Sequence, residues 1–419
     1  MEHSLLLYTS IGISLFIGIC YLYQTLYLFL PYILPKRKYL YTAENAPLHR
    51  YAVCIAARNE EAVLPELIKS IQSQNYPASH LDIYVIADNC TDHTASAAEN
   101  AGAVVFERQN REQVGKGYAL AYLFEAMKCS GVYEKYDAFL ILDADNLLDV
   151  DYMRHMNRLF AEGFDALTSR RNTKNFGDNW LTSGYGLWFL HEGIHLNHSR
   201  MRLGAGCAVS GTGFMFSRRL LDDLGGWHYH TLTEDIEFST ECAIQGRRIG
   251  YCHEAVFYDE QPTRFGVSIR QRTRWIQGGI QVAFQYGARV LGGMFTHKSL
   301  RKKYTCFENL TLSMWGYCAS AAAFFFQLFA IFMVREKTVL MALGASCVGF
   351  LLSLFTLGVL TTVFQWNEIH AGTGRRIAGM FTFPFFMITF LIPVFAAVLT
   401  RPVWHPIPHT RVITAKEIQ

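Results

Sequence analysis

The stretch AFLILDADN, Ala138 to Asn146, decides the fold. Its apolar run, Ala138 to Leu142, is too short for a buried helix and predicts a strand covered on both faces. The strand ends in Asp143-Ala144-Asp145, which puts two carboxylates at its carboxyl end. Upstream, Tyr51 to Ala57 (YAVCIAA) and Leu81 to Ala87 (LDIYVIA) repeat the pattern, and Ala103 to Phe106 gives a shorter strand. Between them, Glu61 to Gln72 sets Leu64, Leu67, Ile68 and Ile71 on one helical face. A short Ala-rich helix starts at Thr94, and another helix spans Lys116 to Lys128. Strands alternating with helices predict an α/β fold with a mostly parallel, Rossmann-like sheet. In such sheets ligands bind beyond the carboxyl ends of the strands, near the switch in strand order. Polar residues gather at those ends: Arg58-Asn59-Glu60, Asp88-Asn89, and Asp143 with Asp145.

Outside this region the composition changes. Of the 419 residues 51% are hydrophobic and 14% aromatic, and only 17% are charged, against about 25% in soluble domains. Residues 5–30, 309–334, 339–366 and 378–400 contain no Asp, Glu, Lys or Arg. Each run exceeds the roughly 20 residues that span a bilayer, so transmembrane helices are expected. The fourth carries Pro384 and Pro393, so it fits either a full crossing or a broken, re-entrant helix. The first is too long for a signal core and has neither a basic start nor a cleavage site, so it is expected to be an anchor. The clusters Lys36-Arg37-Lys38, Lys298 with Arg301-Lys302-Lys303, and Arg375-Arg376 fall on one side, the cytoplasmic one under the positive-inside rule. The expected division is an N-terminal transmembrane helix (1–38), a cytoplasmic domain (39–265), interfacial amphipathic helices (266–304), C-terminal transmembrane helices (305–400) and a tail (401–419). A multi-pass protein of the cell membrane follows, in contact with membrane lipids. The side taken by the tail, with Arg401, Arg411 and Lys416, stays open, and so does the oligomeric state. Ten cysteines without a CxxC pair indicate neither a zinc site nor a disulfide framework. A net charge of +3 with no basic-aromatic pattern speaks against nucleic acid.

Within 39–304, four short motifs carry possible chemistry. Asp143 and Asp145 are hard oxygen ligands suited to Mg²⁺ or Mn²⁺, which relieve the charge repulsion of a departing nucleotide diphosphate. Gly115-Lys116-Gly117 opens a helix, and a lysine beside free backbone N–H groups suits a phosphate, although the Walker spacing is missing. Thr233-Glu234-Asp235 fits a capped helix start with acids in its first turn. A carboxylate there also suits a general base. Gln271-Arg272-Thr273-Arg274-Trp275 lies in an Arg-rich stretch followed by Gln277-Gly278-Gly279. An interfacial helix whose arginines face lipid phosphates explains it as well as a ligand-binding segment does.

Taken together and in this order, AARNE, ADNCTD, GKG, DAD, SGTG, TED and QRTRW resemble family 2 of the inverting glycosyltransferases. The branch is that of the membrane-embedded cellulose, chitin, hyaluronan and poly-N-acetylglucosamine synthases. TED followed by QxxRW is the most specific element. The resemblance covers Tyr51 to Gly279, the later membrane helices and Trp404-His405-Pro406. It implies a GT-A domain joined to a transmembrane helical domain. Ala57, Glu60 and Asp88 would line a uridine pocket, and Lys116 would touch the diphosphate. Asp143 would lie near ribose and metal, and Asp145 would hold the Mg²⁺ or Mn²⁺ directly. Gly211, Thr212 and Gly213 would border the acceptor. Asp235, with Glu234 beside it, would be the catalytic base, and Gln271, Arg274 and Trp275 would clamp the diphosphate and stack on the acceptor. ADNC departs from the DDG or DDS common in the family, and control by a cyclic dinucleotide is not expected because no regulatory domain follows.

The activity implied is a UDP-sugar-dependent hexosyl transfer. The favoured form is processive synthesis of a β-linked polysaccharide, a cellulose-like β-glucan from UDP-glucose, exported along a path offered by Trp315, Tyr317, Gln327 and Gln365. Transfer of one sugar to a membrane lipid is the alternative, so the acceptor is a glycan or a lipid. A catalytically dead nucleotide-sugar-binding scaffold is the remaining class.

Overall fold

The computed structural model describes residues 2–35, 37–311 and 337–400, with scattered positions between 319 and 333. Lys36, Trp315, Tyr317, Gln327, the Trp404-His405-Pro406 motif and the tail lie outside the described residues.

Helix α1 (Glu2–Tyr27) and the short α2 (Leu30–Ile33) precede strand β1 (Tyr51–Ala57). There follow α3 (Leu64–Gln72), β2 (Leu81–Asp88), α4 (Thr94–Asn100), β3 (Val104–Arg108), α5 (Lys116–Cys129), β4 (Ala138–Asp143) and β5 (Leu147–Leu148). Next come α6 (Tyr152–Ala161), β6 (Ala166–Thr173), α7 (Trp180–His191), α8 (His198–Leu203), β7 (Phe214–Ser217), α9 (Arg218–Asp223), α10 (Glu234–Ile244) and β8 (Ile249–Asp259). The chain continues through α11 (Phe265–Thr296) and α12 (Leu300–Glu308), then α13 (Lys337–Phe364), α14 (Thr373–Ile388) and α15 (Leu391–Leu399).

The sheet runs β3-β2-β1-β4-β7-β6-β8-β5. Its first half is parallel, with β1 between β2 and β4. The chain winds outward from β1 to β3 and then restarts on the other side at β4, which makes the β1/β4 boundary the switch point where such sheets bind ligands. β1 and β4 are almost wholly buried because helices cover both faces, so they appear in sequence as unbroken apolar runs. The expected parallel sheet becomes a mixed one beyond β4. Strand β7 runs antiparallel to both β4 and β6, β5 is antiparallel to β8, and β6 and β8 are parallel.

Two segments, Cys347–Phe364 and Thr373–Leu399, are long and apolar enough to cross a membrane. They expose large apolar side chains, among them Phe350, Leu352, Phe381 and Phe385, and α1 does the same with Phe16, Ile19 and Leu22. The proline-bearing segment is broken, as one of its two readings had it. Pro384 stays within α14, and the break falls at Thr389–Phe390. Fully buried Arg272 of α11 donates to Thr389 Oγ1 (2.8 Å) there and lies over the rings of Phe386 and Phe390. Gln365 donates to the Tyr32 hydroxyl (3.2 Å). Helix α1 is fastened by Tyr27, whose hydroxyl donates to Glu308 (3.0 Å) beside Arg200.

Helix α11 packs on α10, α12 and α15. Its contact with α10 depends on Gly278: a Cβ there would come within 2.4 Å of Thr233 Oγ1 and 2.6 Å of Thr233 Cγ2. Thr233 occupies the N-cap position of α10 as expected, yet its buried hydroxyl makes no capping bond, because it is turned against α11. Gly278→Ala should therefore lower stability by about 1–3 kcal/mol through overpacking. Gly292→Ala, on the same helix with open space around it, should raise stability by roughly 0.5–1 kcal/mol through helix propensity. Thermal unfolding of the two variants in detergent checks the pair, and equal shifts would contradict the close approach.

Candidate active site

Beyond the carboxyl ends of β1, β2 and β4 lies a cavity of about 510 Å³. Ala57, Glu60, Asp88, Lys116, Asp143, Asp145, Gly211, Glu234, Asp235, Gln271, Arg274 and Trp275 all line it.

At one end, Ala57, Glu60 and Asp88 close the strand tips. Asp88 is buried and ion-paired to Arg108 (2.6 Å), whose other amino group donates to the Gln113 carbonyl (2.8 Å). Asn89 follows it in the left-handed region (φ 54°), and Asn59 after β1 does the same (φ 58°). Asparagine tolerates that conformation, so ADNC preserves the turn that DDG makes with glycine.

Lys116 opens α5. A Cβ on Gly117 would come within 2.0 Å of the Tyr229 carbonyl oxygen, so glycine alone lets the 229–233 segment run against the start of α5. The Lys116 ammonium donates to Asp143 Oδ1 and to the Gly211 carbonyl (2.7 Å). It thereby ties the end of β4 to the turn before β7.

Thr212 and Gly213 are placed differently from expectation. The Asp143 amide donates to Thr212 Oγ1 (2.8 Å), and that hydroxyl donates to Asn146. Thr212 therefore braces the Asp143–Asp145 turn from behind. Gly213 has φ 65°, and a Cβ on it would strike the Phe257 ring at 2.2 Å. Neither lines the cavity; Gly211 alone of the three does.

Asp145 Oδ2 accepts from the Glu260 amide (3.1 Å), and its carbonyl accepts from Lys174. Beside it, Asp259 accepts from Arg171 Nε (2.7 Å), while its buried Oδ1 has no partner among the described residues. Burial pushes the Asp259 carboxyl up to about 6 against the pull of Arg171, and Asp145 adds to the rise. Among the described residues no three His, Cys, Asp or Glu side chains converge as a ready-made metal cage. Two carboxylates from Asp143 and Asp145 with an unsatisfied carboxylate oxygen nearby nevertheless fit Mg²⁺ or Mn²⁺. Such ions take one or two carboxylates and complete their shell with phosphate oxygens and water.

Glu234 and Asp235 form the first turn of α10. Burial raises both carboxyls, that of Glu234 to about 7, and the Lys116 ammonium opposes the rise. The Gly211 backbone also opposes the rise of the Asp235 carboxyl. A buried carboxylate raised toward neutrality is suited to accept a proton.

From α11, Gln271, Arg274 and Trp275 face the same space. Gln271 Oε1 and Arg274 Nε are buried without partners, and among the described residues Arg274 pairs with no carboxylate. Trp275 packs edge-on against Tyr185 (6.0 Å) and Phe189 (6.2 Å). The motif's two arginines part ways: Arg272 is pinned under the broken helix, and Arg274 faces the cavity.

Arg171, Glu192 and Asp259 also line the cavity and were absent from the expected set. Two adjacent arginines in the buried strand β6 were a usable signal for Arg171. Asp259 closes β8 much as Asp143 closes β4. Glu192 begins a π-helical turn, Glu192–Asn197, that no 3.6-residue pattern marks.

Comparison with known proteins follows this geometry. The chain is 25% identical over 374 residues to the beta-monoglucosyldiacylglycerol synthase of Synechocystis sp., covering 87% of this chain and 74% of that one. A second synthase of that name, from Nostoc sp., is 27% identical over 57% of this chain, which spans about half of its length. The poly-beta-1,6-N-acetyl-D-glucosamine synthase of Staphylococcus epidermidis is 25% identical, over 67% of this chain and 66% of that one. Among solved structures, the mannosyltransferase PcManGT from Pyrobaculum calidifontis, in complex with GDP-Man and Mn²⁺, superposes with a TM-score of 0.63. That match has 17% identity and covers 94% of this chain and 99% of that one. It shows a shared fold of the GT-A kind. The model described as glycosyltransferase like family 2 matches residues 49–278, more than half of the chain and the whole of the motif series, and the chain belongs to that family.

Proposed function

We propose that this chain transfers a sugar from a UDP-sugar to a hydroxyl of a membrane lipid, with inversion at the anomeric carbon. The observation that carries this reading is the convergence of Asp235 and the unpaired Arg274 on one cavity, held together by the Thr233–Gly278 contact. Residues 39–265 form the catalytic domain on the cytoplasmic side, 266–304 the connecting interfacial helices, and 1–38 with 305–400 the membrane part of a multi-pass protein.

Ala57, Glu60 and Asp88 hold the uridine, and Lys116 the diphosphate. Asp143 and Asp145 would hold Mg²⁺ or Mn²⁺, which supplies neutralisation of the diphosphate charge. Asp235 takes the proton from the acceptor hydroxyl. The freed oxygen attacks the anomeric carbon from the face opposite UDP, the bond from that carbon to the diphosphate oxygen breaks, and Arg274 and Gln271 receive the charge that develops. An α-linked donor gives a β-linked product. Trp275 and Gly211 border the acceptor.

A lipid acceptor is favoured by the names of the glucosyldiacylglycerol synthases among the relatives. It is also favoured by the cavity wall, which includes Gln24 of α1 and Phe390 between α14 and α15, elements that carry exposed apolar surface. Similarity to a poly-N-acetylglucosamine synthase supports the processive reading as the second one. Incubating the purified chain in nanodiscs with radiolabelled UDP-glucose or UDP-N-acetylglucosamine separates them: a labelled glycolipid supports the first, a glycanase-sensitive polymer the second.

Asp235→Asn should cut turnover by about 10²-fold or more while UDP affinity stays within roughly twofold. Arg274→Ala should do the opposite, weakening UDP binding about tenfold or more, the scale of a lost charge-assisted contact. Calorimetric UDP titration beside steady-state rates checks both, and parallel losses in the two variants would contradict the division of roles.

The acid limb of kcat/KM reports the free enzyme's base. Because burial raises the Asp235 carboxyl, activity should fall as pH drops through a midpoint above the aspartate reference of about 3.9. Lys116→Met should move that midpoint higher still, since the ammonium opposes the rise. A midpoint at or below the reference value would remove Asp235 from the role.

A further inference from the structure

Between α7 and α8 the helix widens into the π turn Glu192–Asn197. Such insertions place a side chain out of the register of the surrounding helix and recur at functional sites. Here the first residue of the turn, Glu192, lines the cavity together with Asp235, Ser210, Leu196 and Arg200. Among the described residues its carboxylate receives a single hydrogen bond, from Ser210 Oγ to Oε2, and a long one at 3.3 Å. The two arginines near enough to affect it are already engaged, Arg171 with Asp259 and Arg200 with Glu308. A half-buried carboxylate with so few protein donors leaves its bonds to be completed by water or a ligand.

The donor it needs is a hydroxyl. Arg171 and Arg200 lower the Glu192 carboxyl and so favour its ionised, hydrogen-bond-accepting form. Ester carbonyls are acceptors and gain nothing from a carboxylate. An isolated lipid hydroxyl is consumed at Asp235 and has no second proton to offer. Resting on the glycosyl-transfer reading above, we infer that Glu192 selects the acceptor. Its carboxylate accepts a hydrogen bond from a second hydroxyl of the acceptor's bound end, which is therefore a sugar or polyol headgroup, while a neighbouring hydroxyl gives its proton to Asp235. Glu192 is a specificity residue in this account and takes no part in breaking the donor bond. Burial raises its carboxyl, and hydroxyl donors from a ligand would lower it again by stabilising the ionised form.

The test uses the full chain in nanodiscs, with UDP-glucose and UDP-N-acetylglucosamine as donors. Three acceptors are compared: octyl glucoside as a membrane-borne sugar head, free glucose as a soluble one, and 1,2-dioctanoylglycerol as a lone lipid hydroxyl. Donor hydrolysis, which is transfer to water, is measured alongside. The wild type should use octyl glucoside in preference to dioctanoylglycerol, and preference for glucose over octyl glucoside would assign the site to a soluble glycan bearing the same hydroxyls. Glu192→Gln and Glu192→Ala should each raise the KM for the sugar acceptor about tenfold or more, the scale of a lost hydrogen bond to a charged group. Donor KM and hydrolysis should stay within about twofold. The inference is overturned if neither variant changes the acceptor KM, if donor hydrolysis falls in step with transfer in both variants, or if the wild type prefers dioctanoylglycerol. A wild type that neither hydrolyses nor transfers either donor sinks the glycosyl-transfer reading itself, a result distinct from an active enzyme indifferent to Glu192.

Discussion

Everything at the cavity depends on how α11 lies against the start of α10. Gly278 lets Thr233 press into the helix, and that contact sets the distance between the two acids that follow Thr233 and the side chains on the same helix as Gly278. The register of α11 does the rest. Gln271, Arg274 and Trp275 lie three and four residues apart and share a face. Arg272 points the other way and is held by Thr389 and two phenylalanine rings where the proline-bearing segment breaks. One helix therefore couples the sheet-based cavity to the apolar helices. A shift of those apolar helices would carry Arg274 with it.

The charges of the cavity follow from the same arrangement. Asp143, Asp145, Asp259, Glu234 and Asp235 crowd one cavity, and the cations present are unevenly committed. Lys116 is held by Asp143 and Arg171 by Asp259, whereas Arg274 has no carboxylate partner among the described residues. An anionic diphosphate entering this site therefore meets one unpaired guanidinium and one lysine that must exchange a carboxylate for a phosphate. In the proposed reaction that exchange would leave Asp143, with Asp145, to hold a divalent cation, which would supply neutralisation of the diphosphate charge. The raised carboxyls of Glu234 and Asp235 belong to the same balance, because burial penalises their charge more than Lys116 favours it.

The parallel half of the sheet was legible in the sequence because β1, β4 and most of β2 are buried on both faces and appear as unbroken apolar runs. The antiparallel insertion was not. β7 has only four residues and β5 only two, too few to show a period, and both pair with strands far away in the chain. Motif residues that touch the cavity were found where a residue type and a turn signal coincided, as at Lys116, Asp145 and Asp235. Thr212 and Gly213 lie in a motif with the same turn signals, yet they serve the turn behind the cavity, and spacing does not separate bracing from lining. Arg272 and Arg274 look equivalent in a string of letters and differ only by helical phase. Glu192 left no trace, since a π turn inserts its extra residue without altering composition.

In the proposed reaction this cavity offers one base and one stabilised leaving group, which amounts to a single displacement. The most direct test is proton NMR of the product formed from an α-linked UDP-sugar by the purified chain in nanodiscs, read at the new anomeric position before any mutarotation. The account predicts a β-anomeric linkage. An α-linked product would contradict it, because retention requires a second displacement or a same-face attack for which Asp235, placed as the only base, has no role.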